Sequence, residues 1–224
     1  MDKPVLEEAA PRRLAHEVHR RLEDMIFSGR LRGGEVLTER RLADALDVSR
    51  TPLRDALLML ESEGLLKRRG ARYLEVRQMT VPEYMQILNI RRLLEPEAAR
   101  LCVGRIELSR LAGLRERLEE LEEATASGRK AADPDGSAAL DAAMHDEIAG
   151  ASGNPLMASM IRDLRRRTRI FDLGRMPDRA AAVYHEHIDI IRAIEAGDGN
   201  GAAAAMTRHI DNVKASIIRH LSTI

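Results

Sequence analysis

The sequence predicts a mostly α-helical protein: an N-terminal winged helix-turn-helix followed by an all-α, antiparallel six-helix bundle. Three observations predict it. Aromatic residues make up 2% of the 224 and none is Trp, so Ala, Leu, Ile and Met must fill the core, which suits packed helices better than sheets. Apolar residues recur at helical spacing along most of the chain, and β-prone segments are confined to residues 65–77. Clusters of Gly, Pro, Ser and Asp interrupt that spacing, and connections this short make neighbouring helices antiparallel.

Taken in order, residues 1–11 are expected to be a disordered tail. Leu14, Val18, Leu22, Met25 and Ile26 define a helix over 12–28, which Gly29 ends, and Arg32-Gly33-Gly34 turns the chain. Thr38 N-caps a short helix over 39–46 whose inner face is Leu42, Ala45 and Leu46. After the tight Asp47-Val48 turn, Ser49 caps a helix over 50–63. Pro52 lies in its first turn, where a missing N–H costs little, and Gly64 stands at its C′ position. Residues 65–77 read as a small hairpin with the basic tip Arg69-Gly70-Ala71-Arg72. These elements form a first domain over 12–78. The capping box Thr80-Val81-Pro82-Glu83 opens a second domain, 79–224. Its helices are expected at 81–103, 107–127, 135–151, 155–172, 178–196 and 199–221, with Asn154 and Asp198 as caps.

Charge gives little direction. There are 36 basic and 36 acidic residues, so any nucleic-acid contact must come from a local patch. The single cysteine, Cys102, rules out a disulfide within the chain and suits a reducing compartment. The N-terminus has no apolar stretch of signal-peptide type, and no run of residues is long and apolar enough to span a membrane. A cytoplasmic location is expected. The scarcity of aromatics argues against single-strand binding by base stacking.

Two helices joined by a short turn, then a hairpin, place the N-terminal end of the second helix in a major groove. That end carries Arg50, Thr51 and Arg54. Arg50 and Arg54 are four apart and share a face, and Arg grips guanine O6 and N7 with two donors. Arg40 is placed to touch the DNA backbone, and Arg69 and Arg72 on the wing to reach phosphates or a minor groove. The alternative is a solvated helix face, with Arg54 paired to Asp55 or Glu61.

A second constellation lies further on. Asp141 and His145 are four apart on one helix, His187 is on a later helix and His209 on the last. One carboxylate and three imidazoles converging in a bundle form a divalent transition-metal site. His187 falls in the apolar stripe of Tyr184, Ile188 and Ile191, whereas His185 sides with Asp189 and Arg192, so His187 is the inward one. Met206 and Val213 place His209 similarly. His16, His19 and His220 lack such company and are expected at the surface. The alternative is that each histidine is an ordinary core or surface residue.

Residues 37–70, LTERRLADALDVSRTPLRDALLMLESEGLLKRRG, closely resemble the DNA-binding domain of the GntR family of bacterial regulators, and SGRLRGGEVL, 28–37, resembles its entry turn. The resemblance implies that Arg40, Arg50 and Arg54 are the main operator contacts, helped by Thr51 and the wing Gly70. Gly33 replaces the family's usual Pro and Asp47 its usual Gly. The segments IRRLLEPEAARL (90–101), LDAAMHDEIAGASGNPLM (140–157) and YHEHIDIIRAIEAGDGNGAAAAMTRHI (184–210) resemble the FCD effector domain of the FadR-type branch. Its metal-binding members use one Asp and three His, implying Asp141, His145, His187 and His209 as ligands to zinc, nickel or manganese. Six helices rather than seven resemble the VanR-type subgroup. Met144 and Asp146 replace a usual aromatic and a usual basic residue. Arg91 stands at the family's pocket Arg position, which implies a carboxylate effector, a small organic or sugar acid; its alternative role is as the intrahelical partner of Glu95.

The expectation is a homodimeric regulator, more commonly a repressor, in which each protomer inserts one helix into a pseudo-palindromic double-stranded operator. The same residues admit two other classes. One is a metal-dependent helical-bundle enzyme, with Glu147 and Glu186 near the site in sequence. The other is an adaptor that uses the winged helix for protein contacts.

Overall fold

In the computed structural model the described residues are 10–70, 73–127, 134–169 and 179–221. The chain divides into two compact units, the first comprising residues 1–80 with 166–171, the second 81–165 with 172–224. The expected mostly helical architecture, a winged helix-turn-helix followed by six further helices, is what these residues form.

In the first unit, α1 (Ala10–Phe27) buries Ala15, Val18, Leu22 and Ile26 at helical spacing, while Leu14, expected on that face, is 39% exposed. Most of the expected tail lies outside the described residues, and α1 already includes Ala10 and Pro11. α2 (Glu39–Leu46) begins at Thr38, whose hydroxyl accepts from the Arg41 N–H, and ends at Asp47 in the left-handed region at φ 53°. A short polar side chain tolerates that conformation, so Asp47 makes the turn. α3 (Arg50–Ser62) starts after Ser49. Ser49 has the extended backbone of an N-cap but, contrary to expectation, its hydroxyl makes no capping bond. Gly64, at φ +75°, reverses the chain into the wing. Leu53 and Leu60 of α3 pack with Val18 and Leu22 of α1 and with Leu65, all of them fully buried. Each such side chain contributes roughly 1.5–3 kcal/mol of transfer free energy.

The wing is β2 (Leu66–Arg69) paired antiparallel with β3 (Tyr73–Val76), from Leu66 opposite Val76 to Arg69 opposite Tyr73. A two-residue strand that the periodicity did not reveal, β1 (Val36–Leu37), pairs with the other edge of β3 and gives the order β1-β3-β2.

The second unit holds α4 (Val81–Cys102), α5 (Leu108–Ala126), α6 (Pro134–Ala151), α7 (Pro155–Thr168) as far as Arg165, α8 (Ala180–Glu195) and α9 (Gly199–Leu221). α4 packs against α9 and α6, and α8 against α9 and α5. Asn154 Oδ1 accepts from Met157 N–H and Asp198 Oδ1 from Gly201 N–H, so both act as the caps their positions suggested. Tyr84, Leu88, Leu111, Leu118, Met144, Ile148, Ile161 and Ile188 fill the core between these helices. Among the described residues no helix is long and apolar enough to cross a membrane.

Candidate metal centre and nucleic-acid interface

In the first unit the candidate DNA contacts face solvent. Arg40, Arg50, Thr51, Arg54, Arg69 and Gly70 are all exposed. Apolar positions on the opposite side of α3 are buried in the core, and that directs its polar face outward. Arg54 Nε donates to Glu39 Oε2 at 2.8 Å rather than pairing with Asp55 or Glu61, and Glu61 instead pairs with Arg68. The Arg54–Glu39 pair is exposed, at 59% and 39%, so separating it costs at most about 1 kcal/mol. A bidentate contact to guanine is worth about 1–3 kcal/mol of discrimination, so Arg54 is available to exchange one partner for the other. Arg69 lies 3.8 Å from Glu75 on the wing. Arg72 lies outside the described residues.

In the second unit three imidazoles meet in the core. His145 from α6, His187 from α8 and His209 from α9 are 2%, 1% and 3% exposed. Their ring centroids are 4.6–5.5 Å apart, and one nitrogen from each lies within 4.8 Å of the others. An ion with nitrogen ligands at 2.0–2.1 Å holds them about 3.3 Å apart, so the rings have to close by roughly 1.5 Å at most. Asp141, one turn before His145, stands at the edge of this cluster. Its Oδ1 is 3.4 Å from His187 Nε2 and 3.8 Å from His145 Nε2.

Three of the four donors have an outer partner, and His187 has none among the described residues. His209 Nδ1 is hydrogen-bonded to Glu186 Oε2 at 2.8 Å, and Glu186 also accepts from Arg179 and Asn212. His145 Nδ1 is 2.7 Å from Glu95 Oε2. Asp141 Oδ2 accepts from Arg165. Both ring nitrogens of His187 and Nε2 of His145 are buried without a hydrogen bond. Leaving such groups unpaired costs about 1–3 kcal/mol each, and a metal ion is one partner that removes the cost. The donor set of three imidazoles and a carboxylate fits a borderline transition ion.

Burial dominates the protonation of this cluster. Desolvation pushes the His187 and His209 pKa values well below the ordinary value, reinforced by His209, His145 and Arg165 at His187 and by His145 and Arg91 at His209, and His145 is lowered by burial and Arg165. All three rings are therefore neutral near pH 7, the form that ligates metal. Burial alone would raise the Asp141 carboxyl, but Arg165 and the imidazoles hold it below the usual range. Glu95 is likewise kept ionised against burial by Arg91 and His145. These shifts have a consequence for stability. A histidine in the unfolded chain takes up its proton near pH 6.5, whereas these rings do so only at lower pH. Between those values the unfolded state binds more protons, so stability falls as pH falls. Chelator-treated protein is expected to keep a constant melting temperature above about pH 7 and to lose stability progressively below about pH 6.5. A melting temperature that rose over the same interval would contradict neutral, buried rings.

Arg91 is buried in α4 and donates to Glu95 four residues on, so its intrahelical role is realised in this structure. The crevice beside His145, lined by Glu95, Ile148, Ile161 and Met206, is too tight to admit a water molecule. Of the remaining histidines, His185 is exposed beside Glu122 and His16 is exposed. His19, expected at the surface, is half-buried and bonded to Glu63. The side chain of His220 lies outside the described residues.

Residues 14–76 match the family of bacterial regulatory proteins named gntR, and residues 86–212 match the FCD domain. The chain belongs to the GntR family and carries an FCD domain. This GntR-family chain is 30% identical over 213 residues to the HTH-type transcriptional regulator LutR of Bacillus subtilis (strain 168), covering 85% of this chain and 94% of that protein. It is also 30% identical over 192 residues to the Nta operon transcriptional regulator of Aminobacter aminovorans, covering 84% and 89%. Among solved structures it resembles Escherichia coli McbR/YncC, with 25% identity, a TM-score of 0.77, and coverage of 92% of this chain and 98% of that one. The GntR-family chain is accordingly a transcriptional regulator with a DNA-binding helix-turn-helix. The families and relatives it matches are regulators, so the metalloenzyme alternative falls.

Sequence reasoning missed three outer residues of this FCD domain. Glu95 was visible only as a partner for Arg91, and Glu186 only as a carboxylate near His187. Arg165 sits in the run Arg165-Arg166-Arg167, where nothing in the pattern singles out the inward residue.

Proposed function

We propose that the chain is a homodimeric, cytoplasmic repressor of the VanR-type subgroup, whose operator affinity is set by a small carboxylate bound beside a divalent transition ion. Asp141, His145, His187 and His209 hold the ion, which supplies a Lewis-acid anchor for a carboxylate oxygen of an organic or sugar acid. The observation that carries this reading is the trio of buried imidazoles, in which both ring nitrogens of His187 and Nε2 of His145 make no hydrogen bond. Zinc and nickel suit imidazole donors, and manganese suits the carboxylate. Arg91, beside this cluster, supplies the guanidinium that receives the acid, exchanging part of its bond to Glu95 for charge-assisted bonds to the ligand.

Because the crevice beside His145 has no room for a water molecule, an acid that binds there parts Ile148, Ile161 and Met206. Binding therefore discriminates between two packings of the bundle, which is what an allosteric signal needs. On DNA, Arg50, Thr51 and Arg54 enter the major groove, Arg40 touches the backbone, and Arg69, Gly70 and Arg72 form the wing contact. Two copies read the two halves of a pseudo-palindrome.

Fluorescence anisotropy tests this reading. Labelled duplex from the region upstream of the chain's own gene is titrated at fixed salt, with zinc and with chelator, against a scrambled duplex. The expected result is a specific complex whose affinity changes when a carboxylate is added to the zinc-loaded protein. By linkage, DNA must then change carboxylate affinity by the same factor. Equal affinity for the two duplexes would overturn the operator reading, and no response to any acid would overturn the effector reading alone.

A further inference from the structure

We propose that Arg165 is a positioning residue of the metal centre, fixing Asp141 so that one carboxylate oxygen faces the imidazoles while the other is tied off. The inference rests on the metal reading above and concerns how the fourth ligand is presented.

The two oxygens of Asp141 have separate surroundings. Oδ2 accepts from Arg165 Nη2 at 2.5 Å, and the same nitrogen lies 3.4 Å from the Asp141 backbone oxygen. Oδ1 points the other way, 3.4 Å from His187 Nε2 and 3.8 Å from His145 Nε2. The Arg165 side chain is 11% exposed whereas that of Asp141 is 38% exposed, so the guanidinium is the packed, fixed member of the pair and the carboxylate the one that needs holding. Arg165 Nη1 is also 3.7 Å from Glu95 Oε2, and that oxygen is 2.7 Å from His145 Nδ1. One guanidinium on α7 therefore lies against one proposed ligand, Asp141, and against the outer carboxylate of another, His145.

Two effects of Arg165 oppose each other. Its charge repels a divalent ion, and its planar fork orients the carboxylate that binds one. Orientation prevails because the charge is already matched by Asp141 and Glu95, so an incoming ion meets ion pairs and not a bare cation. With Oδ2 occupied, Asp141 offers a single oxygen. That suits a small ion with three nitrogen ligands and disfavours calcium, which takes several oxygens and often both from one carboxylate.

Cobalt(II) binding to the full chain tests this, read by chelator competition and by visible absorption of the bound ion. Arg165→Met is expected to weaken cobalt binding by about 10- to 100-fold and to change the absorption spectrum, with the far-ultraviolet circular dichroism unchanged. Arg165→Lys, which keeps the charge and loses the fork, should fall between the two and decides the matter if the Met variant does not fold. Unchanged or tighter binding in either variant would overturn the inference and leave the metal reading standing. Wild-type protein that bound no cobalt would overturn the metal reading and the inference together.

Discussion

Zinc at one hundred times its dissociation constant is expected to stabilise the second unit by about 2.7 kcal/mol and raise its melting temperature by roughly 5–10 °C. The variant His187→Leu should reverse the order of stabilities between the two conditions. In chelator it should melt at or above wild type, because it removes two buried ring nitrogens that have no hydrogen-bond partner. In zinc it should melt below wild type, because a ligand is gone. An ordinary core histidine predicts neither the zinc gain nor this change of sign, so thermal denaturation of two proteins in two buffers separates the readings.

The second large effect is on DNA. Arg50 is exposed at the first position of α3 and has no partner among the described residues, so placing it on a base breaks no existing contact. Arg50→Ala is expected to cost about 1–3 kcal/mol on the preferred operator and to relax specificity at one base position. Arg69→Ala, on the wing, should instead weaken binding to all sequences alike and lower the salt slope by about one. Anisotropy titrations over a set of operator variants distinguish the two patterns. A uniform loss for Arg50→Ala would make it a phosphate contact.

Much of the fold was legible because local signals and burial agree. Thr38 and Gly64 mark helix ends chemically, and α2 over Glu39–Leu46 and α9 over Gly199–Leu221 run between the expected bounds. The choice of His187 over His185 followed from the apolar stripe of α8, and the structure buries the first and exposes the second. What was not legible depends on tertiary pairing. β1 is two residues long, so it has no periodicity to read, and it exists only because β3 offers an open edge. The half-burial of His19 depends on Glu63, forty-four positions away. Arg165 and Arg167 are indistinguishable in sequence until α7 is set against α6, and only then does Arg165 face Asp141.

The buried imidazoles of His145, His187 and His209 are expected to hold an ion. X-ray absorption at the zinc edge of stoichiometrically loaded protein tests this most directly. One ion per chain, with the multiple-scattering pattern of three imidazoles and one or more oxygen neighbours, is the predicted result. A zinc content well below one per chain, or a spectrum without imidazole scattering, would contradict it.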